Sequence, residues 1–279
     1  MGLTVHYGMK SSTKSIKRAR YYVEQMRQLA LDLPFEEVGE IIEVKNPTDE
    51  TIDRLKDKNE SLRWMLIQAQ QIVSPPWNKK ASTWCSPTHM FAVNVWPGPG
   101  SEPANMGLCL YPETIKFDYA DLPTKLTGWR WRSFCKTQYA SNPNCGGIPN
   151  FLRCHISLIT LLDRISELPT IKVSIDDEGK YGPSHYTDNW RVPNPVYTWH
   201  EGKYNVKALV EEIGNWNDMI AAFAGALGDA VKSQGMEFVS PITEFPNFEQ
   251  LEFKGAQNTD TNVDMFLKVM KEIAKKNTT

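Results

Sequence analysis

Ile16, Ala19, Val23, Met26 and Ala30 recur three and four residues apart, a spacing that sets all five on one face of a helix and demands an apolar layer to cover it. The run 3–7 before them is of strand type, Pro34 stops the helix, and residues 38–44 alternate as a second strand. The first 45 residues therefore read β-α-β, a unit that predicts a right-handed crossover between parallel strands. A second such unit follows, with 129–137 as strand, 150–167 as helix and 171–176 as strand. The polar stripe of the 150–167 helix, Arg153, Ser157, Thr160, Arg164 and Glu167, is too narrow for a surface helix, so Leu158 and Leu162 are expected inside. The fold class expected is α+β: a mixed sheet containing two β-α-β units, with the helices packed on it.

Between and beyond these units the text is less regular. Residues 49–73 read as mostly helical up to Ser74-Pro75-Pro76, where two prolines remove donors and helical freedom. Strand candidates at 90–96 and 108–111 flank the loop Pro97-Gly98-Pro99-Gly100. Residues 205–213 and 216–232 read as two helices broken at Gly214, and the small residues from Ala221 to Ala226 suit close approach of a neighbour. A last amphipathic helix is expected after Thr261, with Val263, Phe266 and Met270 inward. The chain is expected to form a single globular domain over 1–279, with the prolines as the boundary of a possible subdivision into 1–75 and 76–279.

Hydrophobic residues at 41% and charged residues at 23% describe an ordinary globular protein. A net charge of −2 supplies no global field for a nucleic-acid backbone, so no nucleic-acid partner is expected. The stretch 219–227 falls well short of the roughly 20 apolar residues that span a bilayer, and no membrane is expected. The N-terminus turns polar by Lys10, unlike a signal peptide, and five cysteines are an odd count. They read as thiols of a cytoplasmic protein.

The most unusual text runs from Trp129 to Tyr139. As a strand it sets Arg130, Arg132, Phe134 and Lys136 on one face and Trp129, Trp131, Ser133, Cys135 and Thr137 on the other. The cationic face suits an anionic or sugar ligand, or equally an edge strand whose long stems cover apolar surface. Cys135 reads as a candidate nucleophile with His155 as its base, although His155 lies on a stripe with Phe151, Leu158, Leu162 and Ile165 that also fits a core histidine. Cys135, Cys145, Cys154 and His155 lack the paired spacing of a zinc knuckle, so no metal or other cofactor is implied. Asp176, Asp177 and Glu178 follow the end of a strand, where α/β sheets bind ligands, and suit a general base or a solvated turn closed by Gly179. Gly146-Gly147 before a helix suits either backbone donation to an anion or plain turn chemistry.

Phe134 to Tyr139, the helical Arg153-Cys154-His155, and Asp177-Glu178-Gly179 resemble a group of uncharacterised bacterial proteins over residues 129–178. The resemblance implies that these segments form one module and brings no activity. Two functions are expected. One is a pocket at the strand ends for a small polar ligand, open to a hydrolytic role, with Cys135, His155, Asp177 and Glu178 as catalytic candidates and Arg132, Lys136, Gln138, Tyr139, Trp190 and Arg191 as ligand-binding candidates. The alternative is a non-catalytic module that binds a protein partner through the aromatic segment 181–200.

Overall fold

Six strands build the main sheet: β1 (Thr4–Ser11), β2 (Ile42–Lys45), β3 (His89–Val93), β4 (Met106–Leu110), β5 (Trp129–Lys136) and β6 (Ile171–Asp177), with β3 and β4 buried on both faces. The computed structural model describes residues 3–56, 58–78, 81–181, 205–232 and 236–257. Strand order is β6-β1-β5-β4-β3-β2, and every neighbouring pair is antiparallel.

The α+β class is as expected, and both β-α-β connections are present, but they do not join neighbours. β5 and β6 run in the same sense with β1 between them, and β1 and β2 run in the same sense with three strands between them. Each crossover therefore skips over at least one strand, the split β-α-β arrangement, and the sheet is antiparallel rather than mixed.

Helix α1 (Ile16–Leu31) is capped by Ser15, whose hydroxyl accepts from the Arg18 N–H, and buries Ala19, Tyr22, Val23, Met26 and Ala30. Ile16, expected inside, is 47% exposed, because it opens the helix a turn before the packed stretch; Tyr22 fills the face instead. The stretch 49–73, expected to be mostly helical, is so, in two helices and a short strand: α2 (Asp49–Arg54), α3 (Glu60–Ala69) and Gln71–Val73, paired with Thr83–Cys85. Thr48 and Asn59 each cap a helix start, and those caps place the break.

Helix α4 (Gly147–Ser166) buries Leu158 and Leu162 completely. Helix α5 (Val206–Lys232) runs unbroken through Gly214, where the roughly 1 kcal/mol helix penalty of glycine is outweighed by the flanking buried Leu209, Ile213, Asn217 and Ile220. Helix α6 (Phe248–Gln257), which the apolar spacing did not announce, lies against α5. The approach depends on Gly255, where an added Cβ would stand 1.9 Å from the Asp218 carbonyl oxygen. The helix expected after Thr261 lies outside the described residues.

Helices α1 and α4 touch each other and the sheet, and one core cluster takes residues from both sides of Ser74–Pro76, Met26 and Met65 with Phe151 and Leu158 among them. A smaller cluster gathers Ile220, Ala224, Ile242, Phe245 and Leu251. Among the described residues no helix is long and apolar enough to cross a membrane.

Candidate functional site

Strand alternation divides the candidate residues between two environments. In β1, β5 and β6 one face carries Val5, Tyr7, Met9, Trp131, Ser133, Cys135, Ile175 and Asp177, all buried, while His6, Gly8, Lys10, Arg132, Phe134, Lys172 and Ser174 face the other way and keep some exposure.

On the buried side the strand ends converge as expected, but they form a joint rather than an opening. His155 is wholly buried, with Nδ1 at 2.9 Å from the Thr137 hydroxyl and Nε2 at 3.2 Å from Asp177 Oδ1, the latter off the line a hydrogen bond requires. Asp177 accepts from the N–H groups of Gly179 at 2.7 Å and Tyr181 at 2.9 Å. Gly179 lies flat on the imidazole, since an added Cβ would stand 2.9 Å from Nε2. Gln138, expected to touch ligand, is a brace: its Nε2 donates to Asn217 Oδ1 at 3.1 Å and its Oε1 accepts from the Leu3 N–H at 3.0 Å. Asn217 in turn donates to the Ser141 hydroxyl at 2.9 Å, which ties α5 to the same network.

The Cys135–His155 pairing is not the one the fold makes, because both ring nitrogens face other residues. The buried Cys135 thiol donates to the Glu102 carbonyl at 3.0 Å, and burial first, then the Glu102 charge, push its pKa well up. A thiol held protonated in this way is a poor nucleophile. The backbone N–H groups of Gly146 and Gly147 are taken by the carbonyls of Pro143 and Asn142, so they are not aimed at an anion. Among the described residues no group of three His, Cys, Asp or Glu is placed to hold a metal.

Glu178 sits at the rim, where its Oε2 accepts from the Thr4 N–H at 2.8 Å and its Oε1 is 4.0 Å from His6 Nε2. Lys136 turns towards Tyr139, its Nζ 5.4 Å from the ring centre, and Tyr139 meets Phe245 edge-on at 6.4 Å. Trp190 and Arg191, with nearly all of the segment 181–200, lie outside the described residues; Tyr181 is buried beside His155.

On the opposite face lies a hollow of about 290 Å³, midway along the strands rather than at their ends. Its floor is Gly8, and its rim carries Lys10 from β1, Arg130 and Arg132 from β5, and Lys172 from β6. The register explains the convergence: Lys10 stands directly opposite both Lys172 and Arg130, and Gly8 directly opposite both Ser174 and Arg132. No side chain rises from Gly8 to fill the space, and a Cβ there would meet the Ser174 hydroxyl at 2.8 Å. Gln71 closes one side, and no carboxylate is among the described lining residues.

Of the expected ligand residues that the structure describes, only Arg132 lines this hollow. Lys10, Lys172, Ser174 and Gly8 were missed because β1 comes to lie between β5 and β6 only in three dimensions. Their signal is plain alternation, His6-Gly8-Lys10 and Lys172-Ser174-Asp176, which means little until the register is known. Compared with family models, curated proteins and solved structures, the chain finds no match.

Proposed function

We propose that this protein binds a small anionic ligand in the hollow on the outer face of its sheet. The observation that carries the reading is the convergence of Lys10, Arg130, Arg132 and Lys172 from three adjacent strands around the bare Gly8 floor. The register sets Lys10 between Lys172 and Arg130, which concentrates positive charge along one row of the sheet and raises the local concentration of anions. The arginine forks and the Ser174 and Gln71 side chains supply donors for a phosphate-like or carboxylate group. This moves the expected polar-ligand pocket from the strand ends to mid-strand, and it assigns binding without the hydrolytic Cys135–His155 pair. The five free thiols, four of them buried, suit a reducing compartment, and a cytoplasmic location is part of the proposal.

Calorimetric titration with inorganic phosphate and pyrophosphate tests it. Arg132→Gln is expected to weaken binding at least fivefold, roughly 1 kcal/mol. Gly8→Val is expected to abolish it by filling the floor, with circular dichroism confirming that the variant is folded. Absence of binding to wild type, or unchanged binding in a folded Gly8→Val protein, sinks the proposal.

A further inference from the structure

We infer that the ligand of this hollow is a nucleotide, with its phosphate held among the cations and its base stacked on Phe134 beside His6. The inference rests on the anion-binding reading above and adds the chemistry of the rest of the ligand. Along the outer face the register lays out successive cross-strand rows: Lys172–Lys10–Arg130, then Ser174–Gly8–Arg132, then Asp176–His6–Phe134. Successive rows are two residues apart, about 7 Å along the strands. That is the distance a ribose bridges between a 5′-phosphate and its base.

The third row is the aromatic one. Phe134 is 42% exposed on this face, and its ring centre lies 5.9 Å from that of His6. A flat, solvent-facing ring one row from a phosphate-sized cationic hollow offers a stacking surface to a nucleobase. The charge along the face also fixes which way the ligand lies. Cations fill the first row and Arg132 the second, whereas Asp176 stands opposite His6 in the third and Glu178 lies 4.0 Å beyond the His6 ring. A ligand anionic along its whole length, such as a nucleic-acid strand, would bring phosphates against those carboxylates. A ligand with an anionic head and a neutral, ring-bearing tail meets complementary chemistry throughout, and the carboxylates beside Phe134 are placed to accept from N–H groups of the base.

Calorimetric titration of the full chain with ribose 5-phosphate and with AMP, CMP, GMP and UMP separates this inference from the reading beneath it. At least one nucleoside monophosphate is expected to bind roughly tenfold or more tightly than ribose 5-phosphate, within the range a stacked base contributes. Phe134→Ala, at an exposed position, is expected to remove that advantage and leave ribose 5-phosphate binding as it was; Arg132→Gln is expected to weaken both. If ribose 5-phosphate and all four nucleotides bind alike, the anion site stands and the nucleotide inference falls. If no phosphate compound binds, both fall. A ten-residue oligothymidine that binds at least tenfold more tightly than every mononucleotide also overturns the inference, in favour of a nucleic-acid face.

Discussion

Nε2 of His155 lies 3.2 Å from Oδ1 of Asp177, with both side chains fully buried, so the middle of α4 is tied to the last residue of β6. Thr137 holds the other ring nitrogen, which brings the end of β5 into the same joint. A histidine, a carboxylate and a hydroxyl in a row suggest catalysis, but Thr137 is wholly buried. The arrangement serves to fix three chain segments relative to one another.

Asp177→Ala should therefore be severely destabilising. It removes the acceptor for the Gly179 and Tyr181 N–H groups, and leaving a buried donor unsatisfied costs about 1–3 kcal/mol each. Urea denaturation gives the value, and a double-mutant cycle with His155→Ala gives the coupling. A loss below about 1 kcal/mol would be too small for a structural joint and would reopen a chemical role for the pair.

The cysteines differ in reactivity for reasons the fold makes explicit. Cys85, Cys109, Cys135 and Cys154 are buried, and burial raises the pKa of each, that of Cys85 to about 11. Cys145 alone among the five is partly exposed. Iodoacetamide applied to the native protein should modify Cys145 first, followed by peptide mass mapping; early labelling of Cys135 would contradict its placement.

How much of this was legible beforehand depends on how local the signal was. Leu158 and Leu162 could be placed because a helix writes its buried face into a spacing of three and four, and the alternation of Trp129 to Lys136 likewise separated inward from outward residues. That Arg132 lies in a hollow could not be read, because the hollow exists only where Gly8, two strands' side chains and Gln71 meet across long sequence separations. The break expected at Gly214 is absent for the complementary reason: the glycine's helix penalty is local, whereas the burial of Ile213 and Asn217 that outweighs it is tertiary.

Glu178 gives the fold a pH dependence of predictable sign. Burial raises its carboxyl above the ordinary value of 4.5, against the lowering influence of the Thr4 N–H and of His6. The folded state then holds this proton more tightly than the unfolded chain, so the group favours folding when protonated and loses that contribution as pH rises through its folded pKa. Glu178→Gln stays neutral and keeps an acceptor for Thr4. It should gain stability relative to wild type at pH 7, with the difference closing as pH falls below the ordinary carboxyl range. Denaturation curves of both proteins between acid and neutral pH test this; a difference that widens on acidification would reverse the sign and contradict the burial argument.

Lys172 offers the sharpest test of whether the cationic face is kept for a ligand at the expense of stability. It stands on the edge strand β6, exposed, directly opposite Lys10, so Lys172→Glu replaces a like-charge pair by an opposite-charge one without touching the core. Cross-strand pairs of this kind are worth about 0.2–1 kcal/mol, and the variant should be more stable than wild type by an amount in that range. The gain should be clear at roughly 0.01 M salt and shrink near 1 M, as the screening length falls from about 30 Å to about 3 Å. Phosphate binding should weaken in the same variant, because a carboxylate now stands at the rim of the hollow. Higher stability together with weaker phosphate binding is the signature of a charge arrangement maintained for an anion. A variant that is less stable at low salt, yet binds phosphate as wild type does, would show that Lys172 serves the sheet and not the ligand.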